Sequence, residues 1–164
     1  MAELSTVAAS AAGVSQTTRA MSQEVRDTYR AWSETAPPFS SKEAEGQAAL
    51  DAACAEAAMN NWDGYGAVPV TYGVKIRAQQ FLDSLPSVVP LPIIAADPDG
   101  EIGFEWYLGP RQVFSVSVGE RYGIAYAGVF GANVVHGTEY FMDEFPSEIM
   151  NHLRRLYGDN ALAR

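Results

Sequence analysis

Apolar residues follow two periods along this chain, and the switch between them divides it. Between residues 41 and 85 they recur at helical spacing. Ser40 and Glu43 have the separation of a capping box for a helix through about Asn60. That segment is rich in alanine (Ala44, Ala48, Ala49, Ala52, Ala53), which favours helix and lets another backbone approach closely. Thr71 can cap a second helix, with Val74, Ala78, Phe81, Leu82 and Leu85 on one face and Lys75, Arg77, Gln79 and Asp83 elsewhere. Pro86, Pro90 and Pro92 end it. Upstream, Met21, Val25, Tyr29 and Trp32 form an amphipathic stripe over residues 18–34, which A-P-P-F-S at 36–40 must stop.

From Ile93 onward the period is two. Ile102, Phe104, Trp106 and Leu108 alternate with Glu101, Gly103, Glu105 and Tyr107. Phe114, Val116 and Val118 alternate with Val113, Ser115 and Ser117, and Tyr122, Ile124, Tyr126 and Gly128 alternate with Gly123, Ala125 and Ala127. Turn residues separate these runs: Asp97-Pro98-Asp99-Gly100, Gly109-Pro110, Gly119-Glu120 and Gly131-Ala132-Asn133. Short turns between alternating strands predict an antiparallel meander of four or five strands. Pro146, Ile149, Leu153 and Leu156 then mark a closing helix that stops at Gly158. The expected fold is α+β: two N-terminal helices, the meander, and a C-terminal helix on one sheet face. The expected layout is an arm over residues 1–40, partly flexible, a single domain over 41–158 and a tail over 159–164.

The 164-residue chain has room for one ordinary domain. Its formal charge is -9, and five of those excess negative charges fall in residues 93–164. Such a chain, with no basic cluster, lacks the lysines and arginines that neutralise phosphates, so direct nucleic-acid binding is not expected. Cys54 is the only cysteine, which rules out an intrachain disulfide and a cysteine-based metal cluster. The first basic residue is Arg19, and no apolar run approaches the length of a membrane span. We expect a cytoplasmic protein.

Between the two expected helices lies N-N-W-D-G-Y-G-A-V-P, residues 60–69. Gly64 and Gly66 tolerate positive φ, Asp63 can bond backbone amides in an Asx turn, and Trp62 and Tyr65 carry apolar faces with polar handles. These properties suffice for an anchored corner with Trp62 buried. They also admit a candidate pocket built from Trp62, Asp63, Tyr65 and Trp106. Together with F-L-D-S-L-P and D-G-E-I-G-F-E-W downstream, the run resembles a group of small uncharacterised bacterial proteins. These share an N-W-D-G-x-G-A-x-P signature followed by D-G-x-I-x-x-E-W. The resemblance covers residues 58–157 and implies no activity. Such proteins look like accessory partners in mobile-element or defence gene sets.

Catalytic chemistry is scarce. His136 and His152 have no metal-site spacing, no G-x-S-x-G is present, and Asp97 and Asp99 supply only half a calcium loop. Glu101 and Glu105 share a strand face but stand roughly 13 Å apart, too far for a direct carboxylate pair. No catalytic residue, metal or cofactor is therefore expected. The face opposite Ile102, Phe104 and Trp106 is more informative. It combines Glu101, Glu105 and Tyr107 with small residues, as a docking surface for a basic partner would. Tyr29 and Trp32 on the arm are further candidates for partner contact. The leading expectation is a non-enzymatic, acidic protein-binding module of the antitoxin, immunity or inhibitor kind, with homo-oligomerisation left open. The alternatives are a nucleic-acid mimic, which needs carboxylates arrayed along one face, and a small ligand-binding domain or enzyme centred on Asp63 and Glu105.

Overall fold

The computed structural model describes residues 41–142, 144–158 and 162. The helices are α1 (Ser41–Glu56), α2 (Tyr72–Ser84) and α3 (Ser147–Tyr157). Between α2 and α3 run five strands: β1 (Ile93–Ala96), β2 (Ile102–Gly109), β3 (Gln112–Val118), β4 (Gly123–Phe130) and β5 (Asn133–Tyr140). The sheet is antiparallel throughout and its order is the chain order, β1-β2-β3-β4-β5. The arm at 1–40, with its expected helix at 18–34, lies outside the described residues, as does the Ser40 cap. Of the expected tail only Leu162 is described, and it is buried against the core.

The period of two resolves as expected except at the end of β2, where the register with β3 shifts between Tyr107 and Gly109 and Leu108 is exposed instead of joining the inward set. Ile102, Phe104 and Trp106 are buried on one side of β2, facing the same core as Phe114, Val116 and Val118 of β3 and Ile124 of β4. Leu50 and Ala53 of α1, Val74, Ala78 and Phe81 of α2, and Ile149, Leu153 and Leu156 of α3 complete that core. Phe81 is its aromatic hub, with ring centroids 4.8 Å from Phe104, 5.5 Å from Phe141 and 5.4 Å from Phe145. Trp106 is fully enclosed, and its indole N–H donates to the Pro90 carbonyl at 2.8 Å, so its one polar atom is satisfied.

Local signals account for the helix ends. Thr71 caps α2, its Oγ1 accepting from the Val74 amide at 3.2 Å. Helix α3 follows Pro146 and ends at Gly158, whose φ of 84° suits glycine. Helix α1 stops at Glu56, short of the expected Asn60. Beyond it the helical bonding is given up: the Asn61 amide donates to Ala67 O rather than to Ala57 O, which accepts from the Val70 amide, and Asn61 at φ 59° turns the chain into the corner. Near the start of α1, the Lys42 ammonium donates to the carbonyls of Pro86, Ser87 and Val89, tying the proline-rich segment to that helix. Partial burial lowers the Lys42 pKa.

Candidate functional site

The corner at 60–69 closes on itself. The Asn61 amide donates to the Ala67 carbonyl at 2.7 Å, and the Gly64 amide returns to the Asn61 carbonyl at 3.0 Å. Asp63 Oδ1 accepts from the amides of Tyr65 at 2.8 Å and Ala67 at 3.0 Å, and Asn61 Oδ1 accepts from Gly66 at 2.6 Å. The amides of Tyr65 and Ala67 hold the Asp63 carboxyl below its ordinary pKa by favouring its charged form. Both lateral connections of the loop are also backbone bonds, from Val68 N–H to Pro98 and from Val70 N–H to Ala57.

Trp62 departs from expectation. It is half-buried, because its indole N–H must stay at the corner's rim to donate to Val68 O at 3.1 Å. Tyr65 projects into solvent at 94% exposure and touches no core. Trp106 is interior, and Glu105, its neighbour in β2, points to the opposite side of the sheet. The four residues proposed for a pocket are thus divided between the loop rim, open solvent and the core. What the sequence marks as a chemically rich corner is a hydrogen-bonded brace between α1, α2 and the β1–β2 turn.

The other candidate is the sheet face away from the helices. Cross-strand register lays it out in rows. One row runs Ile93, Glu105, Ser115, Ala127, His136 and the next runs Ala95, Gly103, Ser117, Ala125, Thr138. A third, toward the β2–β3 turn, is Tyr107, Val113, Val129, Val134. Ile93, Glu105, Tyr107, Ala125, Ala127 and Val134 are exposed. None of the five strands contains a lysine or an arginine.

The acidic end of this face is more built than alternation alone indicates. Alternation by itself leaves Glu101 pointing into solvent beside Glu105. Instead it is half-buried, lies over Gly119 and accepts a hydrogen bond from the Ser117 hydroxyl. A side chain at 119 would occupy the space this carboxylate uses. Asp97 was missed as a member of the group. Its Oδ2 lies 3.5 Å from the same hydroxyl, and a Cβ on Gly103 would stand 3.1 Å from it. The signal was present, since Asp97 stands two residues after Ala95 and so extends the same face. Burial first, and then the charges of Asp99, Glu101 and Glu105, raise the Asp97 pKa. Glu105 remains exposed, opposite Ile93 and Ser115.

Tyr29 and Trp32 lie outside the described residues. Among the described residues there is no group of three or more His, Cys, Asp or Glu that could hold a metal ion, and no helix is long and apolar enough to cross a membrane. Comparison of the chain with protein-family models, curated proteins and solved structures gave no match.

Proposed function

We propose that this protein is a non-enzymatic binding module that receives a basic protein surface on its open sheet face. The observation behind this is the charge pattern of that face. Asp97, Glu101 and Glu105 gather at its β1–β2 end, and no strand carries a lysine or arginine to neutralise them. The small side chains of Gly103, Ala125, Ala127, Ser115 and Ser117 allow close approach, and Tyr107, half-exposed at the far row, supplies an aromatic anchor. An antitoxin, immunity protein or inhibitor that masks a cationic surface would work in this way, as would the accessory-partner role implied by the N-W-D-G-x-G signature. The carboxylates cluster at one end rather than forming a line, which favours a protein partner over mimicry of a nucleic-acid backbone. The dispersal of Trp62, Asp63, Tyr65 and Trp106 favours binding over catalysis.

The test uses the full chain as bait in a lysate of its host, beside a variant carrying Ser115→Arg and Ala127→Arg. These two residues are neighbours in register on the open face, and neither belongs to the core. We expect a basic protein to be captured by wild type and lost from the variant, with hydrogen-exchange protection of β2–β4 in the complex. Partners that the variant retains undiminished would exclude this face.

A further inference from the structure

The two edges of the sheet are built differently. Strand β1 is four residues long, is preceded by Pro92 and followed by Asp97-Pro98, and lies at the acidic end. Short length, proline and charge are how natural sheets keep an edge from pairing. Strand β5 has neither the short length nor the prolines, and its one acid, Glu139, sits opposite Ile124 on the helix side of the sheet. The strand runs eight residues in unbroken register with β4, contains no proline, lysine or arginine, and its outer edge pairs with no described strand.

Which backbone groups face outward follows from one hydrogen bond. The Phe141 amide donates to the Tyr122 carbonyl at 3.1 Å, which makes that position a hydrogen-bonded pair of the β4–β5 ladder. Bonded and non-bonded pairs alternate along an antiparallel ladder. Val135, Gly137 and Glu139 therefore turn their amides and carbonyls to β4, while Val134, His136, Thr138 and Tyr140 turn theirs to the open edge. All four of these outward residues are exposed.

We propose that this edge pairs with the β5 strand of a second copy, antiparallel about a two-fold axis at Gly137. That register alone uses every outward group, setting Val134 opposite Tyr140 and His136 opposite Thr138 of the other copy. No two acids meet across it, since the one acid of β5, Glu139, faces Val135 of the other copy. Charge also selects this edge over β1. Pairing through β5 keeps the Glu105 strands of the two copies seven strand spacings apart, roughly 34 Å. That is several times the screening length of about 8 Å at physiological ionic strength, whereas pairing through β1 would bring the acidic ends together. The result is a continuous ten-stranded sheet with both open faces still available. This self-pairing stands independently of the partner proposed above, which uses the open face of β2–β4 and not the backbone edge of β5.

The test is sedimentation equilibrium of the full chain across micromolar to millimolar concentration, with amide exchange of β5 followed by NMR. We expect twice the chain mass at the upper concentrations. The amides of Val134, His136, Thr138 and Tyr140 should become protected as concentration rises, while those of Val135, Gly137 and Glu139 are protected throughout. Thr138→Pro removes an outward donor and none directed at β4, and should return the chain mass with the melting curve of dilute wild type. His136→Lys, which restores ordinary edge protection, should do likewise should the proline variant fail to fold. A wild-type chain that stays at single mass, an assembly that survives the folded variant, or outward amides already protected in a monomer would each overturn the two-fold pairing.

Discussion

Gly137 lies in register opposite Tyr126, and the phenol end of the tyrosine occupies the space a side chain on that glycine would need. The ring also stands 5.9 Å from Phe114 and 5.1 Å from His152, so it cannot swing aside without disturbing α3. Gly137→Ala should cost about 1–3 kcal/mol, the range for forcing extra volume into a packed site. Tyr126→Ala in the same chain should recover part of that loss, a coupling that a double-mutant cycle in denaturant would measure. Strict additivity of the two changes would show that the contact is not the cause.

Trp106 is fixed by enclosure and by its bond to Pro90 O. Replacing it by Phe removes the donor and part of the ring, and we expect a loss of about 1–3 kcal/mol, with the Pro90 carbonyl left without its partner. Trp62→Phe, at a rim position open to water, should cost about 1 kcal/mol or less. Equal losses at the two sites would contradict the burial difference between them.

The Asp63 carboxyl is held below its ordinary pKa by the amides of Tyr65 and Ala67. A depressed folded-state value means the stabilisation is present above the unfolded pKa of about 3.9 and is lost as pH falls through the lower folded value. Asp63→Ala should therefore lower the melting temperature at pH 7, and the gap from wild type should narrow below about pH 4. A gap independent of pH would remove the carboxylate's charge from the explanation.

Asp97 has the opposite sign. Burial and the neighbouring acids raise its pKa, so the fold holds its proton more tightly than the unfolded chain does. Its ionised form opposes folding above the raised folded pKa, and that cost fades as pH falls to the unfolded value of about 3.9 and below. Asp97→Asn should raise the melting temperature at pH 7 and leave it unchanged near pH 3. Thermal melts at the two values distinguish this from a general packing effect, which would act at both.

Glu105 is the exposed acid of the open face, and Glu101 is engaged with Ser117. Glu105→Gln should slow association with a basic partner roughly two- to fivefold at low salt, the scale of one exposed ion pair, and the difference should vanish at high ionic strength. Stopped-flow or surface-based kinetics against salt would reveal it. A rate for Glu105→Gln that matches wild type at every ionic strength would remove this residue from the surface.

The strands were legible in the sequence because one face of an antiparallel sheet is covered and the other is not, which writes burial directly into alternate residues such as Phe104 and Glu105. The α2 cap was legible because Thr71 acts on an amide three residues away. What escaped depends on positions brought together from farther along the chain. Glu101 turns back toward Ser117 across a hairpin, and Trp62 stays at a rim because the carbonyl it bonds belongs to the loop itself. Alternation gives a side chain's face but not its partner, so the shape of the acidic end was beyond its reach.

The chain-ordered sheet has a consequence for how the protein is born. Each strand needs only its predecessor, so hairpins can zip as they leave the ribosome, with short loops to close. The core cannot follow at that pace, because Ile149, Leu153 and Leu156 arrive last and belong to the same cluster as Phe114 and Phe130. Until α3 emerges, those aromatics have no cover from it, and a nascent sheet complete through β5 would carry part of its greasy side bare.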